Sequence, residues 1–72
     1  MDKVTVIGGA GFLGSHVADA LTEAGYMVTI FDREKSPYLK MNQKMYVGDI
    51  LNMDQVLDAL DGKSAVFHFA GL

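Results

Sequence analysis

Gly8, Gly11 and Gly14 punctuate the stretch VTVIGGAGFLGSH (residues 4–16), between a β-branched run and a helix-like one. A G-x-x-G-x-x-G spacing at such a junction meets three demands. The chain can turn sharply, a bulky anion can approach bare backbone, and a helix can start tight against the strand. A helix N-terminus there offers unpaired N–H groups and a partial positive charge, the chemistry that holds a pyrophosphate. The N–H groups of Phe12 and Leu13 are the expected donors. An acid completes the pattern. Asp32 ends the next β-rich run, close to the offset of about 20 residues at which a carboxylate takes the hydroxyls of an adenosine ribose. Its charge would repel a 2′-phosphate, which favours NAD over NADP. The neighbouring guanidinium of Arg33 pulls the other way, but no basic residue lies inside the glycine loop.

Other reactive side-chain types carry less. The chain has no cysteine, so it has no disulfide, thiolate nucleophile or thiolate metal site. His16 and His68 lack metal-ligand spacing. His68, in an apolar strand, reads as a buried, hydrogen-bonded core histidine, and His16 as a helix residue near the loop. Met27, Met41, Met45 and Met53 read as gap-fillers or surface residues. Asp54, Asp58 and Asp61 read as one solvated helix face.

The elements that must position the glycines and Asp32 follow from periodicity. KVTVI (3–7) is a buried strand. FLGSHVADALTEAG (12–25) is a helix whose stripe would be Leu13, Val17, Leu21 and Ala24, with Ser15, Asp19 and Glu23 turned away and Gly25 as its stop. YMVTIFD (26–32) is a second strand. The polar segment 33–44 reads as turns, with one short helical turn capped by Ser36 before Pro37. MYVGD (45–49) is a third strand. NMDQVLDALDG (52–62) is a helix with a capping pattern, Asn52 and Gln55, and Gly62 as its stop. SAVFHFAG (64–71) is a fourth, apolar strand. The order β-α-β-β-α-β implies an α/β, Rossmann-like parallel sheet with flanking helices. It would be the first half of a doubly wound fold, with strand order 3-2-1-4 and a ligand crevice where the chain reverses between strands 1 and 4.

Composition sets outer bounds. Seventy-two residues make one small domain, and such chains bury only about 60% of their unfolded surface. Half the residues are hydrophobic and the net charge is -3 with the charges scattered, which argues against disorder and against binding nucleic acid. MDKVTVIGGAG is not built like a signal peptide, and no run approaches the roughly 20 apolar residues of a membrane helix. The expectation is a cytoplasmic chain that binds no membrane.

Together, GGAGFLGSH, FD at 31–32, GDI at 48–50 and HFAGL at 68–72 resemble the extended short-chain dehydrogenases/reductases. These are the NAD-dependent sugar-nucleotide epimerases, dehydratases and reductases, and HFAGL is most similar to UDP-glucose 4-epimerases. The resemblance covers the whole chain but only about the first quarter of a family member. It implies that Gly8, Gly11, Phe12, Leu13 and Gly14 hold the pyrophosphate of NAD and that Asp32 and Arg33 serve the adenosine ribose. Asp49 would accept from the adenine amine, Ile50 would pack on the ring, and Phe69, Ala70 and Gly71 would line the central and nicotinamide-side sugars. Ile7 departs from the family, which usually has a threonine there to steady the turn.

The family's catalytic Tyr-x-x-x-Lys pair is missing. Tyr26, Tyr38 and Tyr46 are followed four residues later by Ile30, Asn42 and Ile50. The expectation is therefore a dinucleotide-binding segment that is not catalytic alone, with a UDP-sugar as partner only in a complete parent enzyme. A non-enzymatic nucleotide-binding or redox-sensing module is the alternative, and a remnant whose glycines only make a turn is a third reading. Strand 4 would be an apolar edge, which implies self-association or a longer parent chain.

Overall fold

Six elements form: β1 (Lys3–Ile7), α1 (Phe12–Glu23), β2 (Met27–Asp32), β3 (Gln43–Val47), α2 (Met53–Leu60) and β4 (Ala65–His68). The computed structural model describes residues 2–69, so Ala70 and Gly71 lie outside the described residues. The strands make one sheet in the order β3-β2-β1-β4, every pairing parallel. That is the topology read from the alternation of strands and helices.

Partner residues in a parallel ladder share a face, so the register sorts the core into two layers. Val4, Val6, Val28 and Ile30 pack on Ala18 of α1, with Leu21, Leu39 and Met45 at the margin. Ile7 and Phe31 pack on Ala59 of α2, with Tyr46, Val56 and Leu60 around them. The sole buried hydroxyl of β1 also serves the second layer: Thr5 Oγ1 donates to the Ala59 carbonyl at 2.7 Å. Helices on both faces explain why Val4 to Ile7 are all buried, with no alternation of buried and exposed residues.

Helix α1 turns a different face to the sheet than its apolar periodicity implies. Its buried residues are Gly14, Ser15 and Ala18, while Leu13 is 59% exposed and Ala24 is an exposed C-cap residue. The backbone approaches the sheet so closely that only small side chains fit between them. Leu13, about 100° around the helix from Gly14, is thereby turned outward. Ser15 tolerates burial because its hydroxyl donates to the Phe12 carbonyl at 2.8 Å. The helix stops as expected: Gly25 has φ +99°, its N–H donates to Thr22 O, and the Tyr26 N–H donates to Leu21 O.

Residues 33–42 contain no helix; a turn at Pro37–Tyr38 stands where a helical turn was expected. Ser36 Oγ accepts the Tyr38 N–H at 3.1 Å, a local bond that competes with helix. What ties this segment down is buried Gln43. Its Oε1 accepts the Lys40 N–H, and its Nε2 donates to Asp19 Oδ1 at 2.9 Å and Thr22 Oγ1 at 3.1 Å. Lys40 Nζ pairs with the other Asp19 oxygen at 3.0 Å. The Gln43 hydrogen bond, and after it Lys40, hold the Asp19 carboxyl below the usual carboxylate value. Asp19 is thus a fastening point between α1 and the β2–β3 connection, not a solvated outer residue.

Three further expectations are corrected. Strand β3 begins two residues early and ends at Val47, leaving Gly48 and Asp49 outside it. Asn52 does cap α2, its Oδ1 accepting the Gln55 N–H at 3.2 Å, but Gln55 does not reach back to Asn52. Its side chain accepts the Asp49 N–H instead, at 2.8 Å. His68 is exposed rather than buried, because no strand among the described residues lies beyond β4 to cover it. On α2, Asp58 is engaged as well: Tyr46 Oη donates to it at 2.9 Å, which raises the tyrosine pKa.

Candidate functional site

The sequence-predicted residues converge on the C-terminal ends of the strands. Gly8 leaves β1 with φ +81°, and its N–H donates to the Phe31 carbonyl at 2.8 Å, closing the loop against β2. The chain then doubles back: the Gly11 N–H donates to Gly8 O at 3.3 Å, and the Ser15 N–H donates to Gly11 O at 2.8 Å. Gly11 is the N-cap of α1 and contributes no side-chain bond. The first-turn N–H groups of Phe12, Leu13 and Gly14 are therefore uncapped by any side chain and aimed along the helix axis at the loop's mouth. The Phe12 side chain itself lies outside, 74% exposed, with its ring edge-on to His16 at 4.5 Å between centroids.

Asp32 locks the loop to the end of β2. Its Oδ2 accepts the Ala10 N–H at 3.1 Å and its Oδ1 accepts the Glu34 N–H at 3.3 Å. Each oxygen keeps lone-pair capacity for a hydroxyl, and the two backbone bonds fix its orientation. Residue 10 had given no sequence signal, because a backbone donor leaves none.

A cavity of about 290 Å³ opens between these parts. Gly8, Gly11, Asp32, Arg33, Ile50 and Phe69 line it, as do three residues that sequence reasoning did not assign to a site: Ile7, Phe31 and Gly48. Phe69 is set by its own N–H, which donates to the Ile7 carbonyl at 2.7 Å. Phe12, Leu13, Gly14 and Asp49 do not line the cavity walls. The first three stand at the start of α1, and Asp49 lies on an exposed turn beside Ile50. Ile7 is turned into the α2-side core, so at this position apolar packing replaces a turn-steadying hydroxyl. A larger cleft of about 620 Å³ lies at the opposite end of the sheet, by Lys3, Met27 and Lys44. Among the described residues that line it there is no carboxylate, no helix N-terminus and no part of the glycine loop, so size alone does not make it the site.

The glycines differ in what they make room for. A Cβ on Gly11 would meet only Gly8 O, at an ordinary 3.6 Å, so the space beside it belongs to the cavity. A Cβ on Gly14 would strike the Gly8 carbonyl and lie 2.8 Å from Gly9 Cα, so that space belongs to the protein. An open cradle at Gly11, uncapped N–H groups and an oriented carboxylate together fit a ribose–pyrophosphate ligand.

Comparison with known proteins agrees with this geometry. Residues 4–72 match the NAD dependent epimerase/dehydratase family. The mouse (Mus musculus) sterol-4-alpha-carboxylate 3-dehydrogenase, decarboxylating, is 43% identical over 68 residues, which are 94% of this chain and 18% of the mouse protein. A UDP-glucose 4-epimerase of Cyamopsis tetragonoloba is 35% identical over 88 aligned residues, covering 99% of this chain and 25% of that protein. Among solved structures, UDP-glucose 4-epimerase from Brucella ovis in complex with NAD superposes with a TM-score of 0.90 at 31% identity, over 100% of this chain and 23% of that one. MoeE5 in complex with UDP-glucuronic acid and NAD gives 0.84 at 36% identity, over 97% and 23%. The chain thus spans about a fifth to a quarter of the length of these relatives.

Proposed function

This chain belongs to the NAD dependent epimerase/dehydratase family, and from that premise we propose that it is the NAD-binding segment of a sugar-nucleotide epimerase-like enzyme. The observation that carries the reading is the paired arrangement at the strand ends: an uncapped helix N-terminus behind Gly11, and Asp32 oriented by the Ala10 N–H. In this reading the pyrophosphate lies on the N–H groups of Phe12, Leu13 and Gly14. The Asp32 carboxylate receives the adenosine ribose hydroxyls, with Arg33 at the rim. Asp49 and Ile50 take the adenine, and Phe69 continues the wall toward the nicotinamide; Ala70 and Gly71, outside the described residues, keep the role the resemblance implies for them. Bound NAD would supply hydride transfer. This chain's residues bind and orient it, and the proton-transferring Tyr-x-x-x-Lys pair is not among them.

A second reading of the parent activity has its own support. The 43% identity to a sterol dehydrogenase favours a sterol-type substrate, with the same cofactor segment serving it. Both readings place NAD in the same loop, so cofactor binding is the first test. Isothermal titration of the 72-residue chain should show heat with NAD and a markedly weaker response to NADP. At 100 times its Kd, NAD should stabilise the fold by about 2.7 kcal/mol. Equal affinity for NADP would overturn the role given to Asp32, and no heat with NAD, NADP or AMP would overturn the reading itself.

No helix of the described residues is long and apolar enough to cross a membrane. With no cysteine to call for an oxidising compartment, the reading places the chain in the cytoplasm. It also includes self-association through β4. That strand pairs only with β1 among the described residues, and Val66 and Phe67 are exposed along it. Sedimentation should show the mean mass rising with concentration, and Val66→Lys should return the chain toward monomer. A chain that stays monomeric at high concentration would refute the edge argument.

A further inference from the structure

Asp49 is held more firmly than an exposed turn residue needs to be. Its N–H donates to Gln55 Oε1 at 2.8 Å, and its carbonyl accepts the Asn52 N–H at 2.8 Å. Its Oδ1 accepts the Leu51 N–H at 2.9 Å. Three of its four polar groups are thus fixed, and Oδ2 has no protein donor among the described residues. Gln55 is fixed in turn, because its own N–H donates to Asn52 Oδ1 in the first turn of α2.

The route of the Gln55 side chain is equally constrained. It crosses directly over Gly48: a Cβ on that glycine would lie 3.0 Å from Gln55 Oε1 and 2.8 Å from the Phe31 ring. Gly48 is therefore the gap through which Gln55 reaches the Asp49 amide. Helix α2, packed on the core through Ala59, thus reaches the cavity rim by this side chain as well as by the Asn52 N–H.

We propose that Gln55 is a positioning residue that aims the free Asp49 oxygen at the 6-amino edge of a purine, so that the site selects adenine over a 6-oxo purine. This rests on the NAD reading above. Adenine donates from its 6-amino group to Asp49 Oδ2. A 6-oxo purine presents an acceptor there and meets the carboxylate with like polarity. The preference requires the carboxylate to be held in place, and without Gln55 the Asp49 N–H loses its acceptor and only the bonds from the Asn52 and Leu51 N–H groups remain to set its orientation.

The experiment compares NAD with nicotinamide hypoxanthine dinucleotide by titration calorimetry, using the wild-type 72-residue chain, Gln55→Met and Gln55→Glu. Methionine keeps the length but lacks the acceptor, whereas glutamate keeps an acceptor. A hydrogen bond to a charged group corresponds to a preference of about tenfold for NAD in the wild type. Gln55→Met should reduce that ratio to within about twofold, with the Tm nearly unchanged because the bond is solvent-exposed. It should also speed amide hydrogen exchange at Asp49 in the ligand-free chain. Gln55→Glu should retain both the ratio and the protection. A wild-type ratio in Gln55→Met, or a glutamate variant that behaves like methionine, overturns the positioning role and leaves NAD binding standing. A wild-type chain that binds neither dinucleotide overturns the nucleotide reading on which the proposal rests.

Discussion

Gly14→Ala should abolish NAD binding and unfold a large share of the chain, while Gly11→Val should abolish binding and leave the fold nearly intact. Alanine normally favours a helix over glycine by about 1 kcal/mol, so a loss at position 14 reverses the ordinary sign. The reversal comes from what the methyl meets. Gly8 O, Gly8 C and Gly9 Cα are loop backbone, with no flexible side chain to yield. Relief requires α1 to move off the sheet or the loop to open, and Gly8 O would then lose the Gly11 N–H. Overpacking of this kind costs about 1–3 kcal/mol, a large fraction of what so small a domain has. Gly11 differs because its φ of -72° and ψ of 170° suit any residue and its Cβ faces the cavity. Urea unfolding followed by circular dichroism, with calorimetry beside it, separates the two variants. Equal stability losses would show that the loop is merely tight everywhere and that no space at Gly11 is reserved for a ligand.

The second large effect is expected at Phe31. Its ring is 1% exposed, sits between Ile7 and Ala59, touches the Tyr46 ring at 5.2 Å between centroids and closes over Gly48. Phe31→Ala should cost about 3–5 kcal/mol, comparable with the whole stability of a domain this size. Saturating NAD at 100 times its Kd returns only about 2.7 kcal/mol, so the variant should be largely unfolded even with ligand. Phe67→Ala, on the edge strand and 37% exposed, should cost far less. Amide–proton NMR spectra of both variants check the contrast. A folded Phe31→Ala chain with dispersed resonances would mean that the α2-side layer does not hold the sheet together.

Both effects arise from positions that carried quite different amounts of information in one dimension. Gly14 was visible because glycine spacing at a strand–helix junction has few other uses. Phe31 looked like one more residue of an apolar run, and its place as a cavity wall appeared only with the register that sets it beside Tyr46. His68 shows the opposite failure. Its apolar neighbours read as burial, but β4 lies at a sheet edge, and exposure there follows from which strands surround it.

Legible in one dimension were the parallel sheet, its order, the glycine loop, the acid at the end of β2 and both helix stops, Gly25 and Gly62, each with a positive φ. The loop, the acid and the helix stops are matters of backbone freedom and short-range hydrogen bonding written in neighbouring residues, while the sheet order follows from the alternation of strands and helices joined by right-handed crossovers. Packing between elements set which face of α1 is buried, that Gln43 fastens the β2–β3 connection to Asp19 and Thr22, and that Gln55 serves Asp49 rather than its own cap. Those outcomes depend on how closely two elements approach and on which polar groups then remain unpaired. No local pattern encodes that distance, because it is set by the packing of the sheet as a whole.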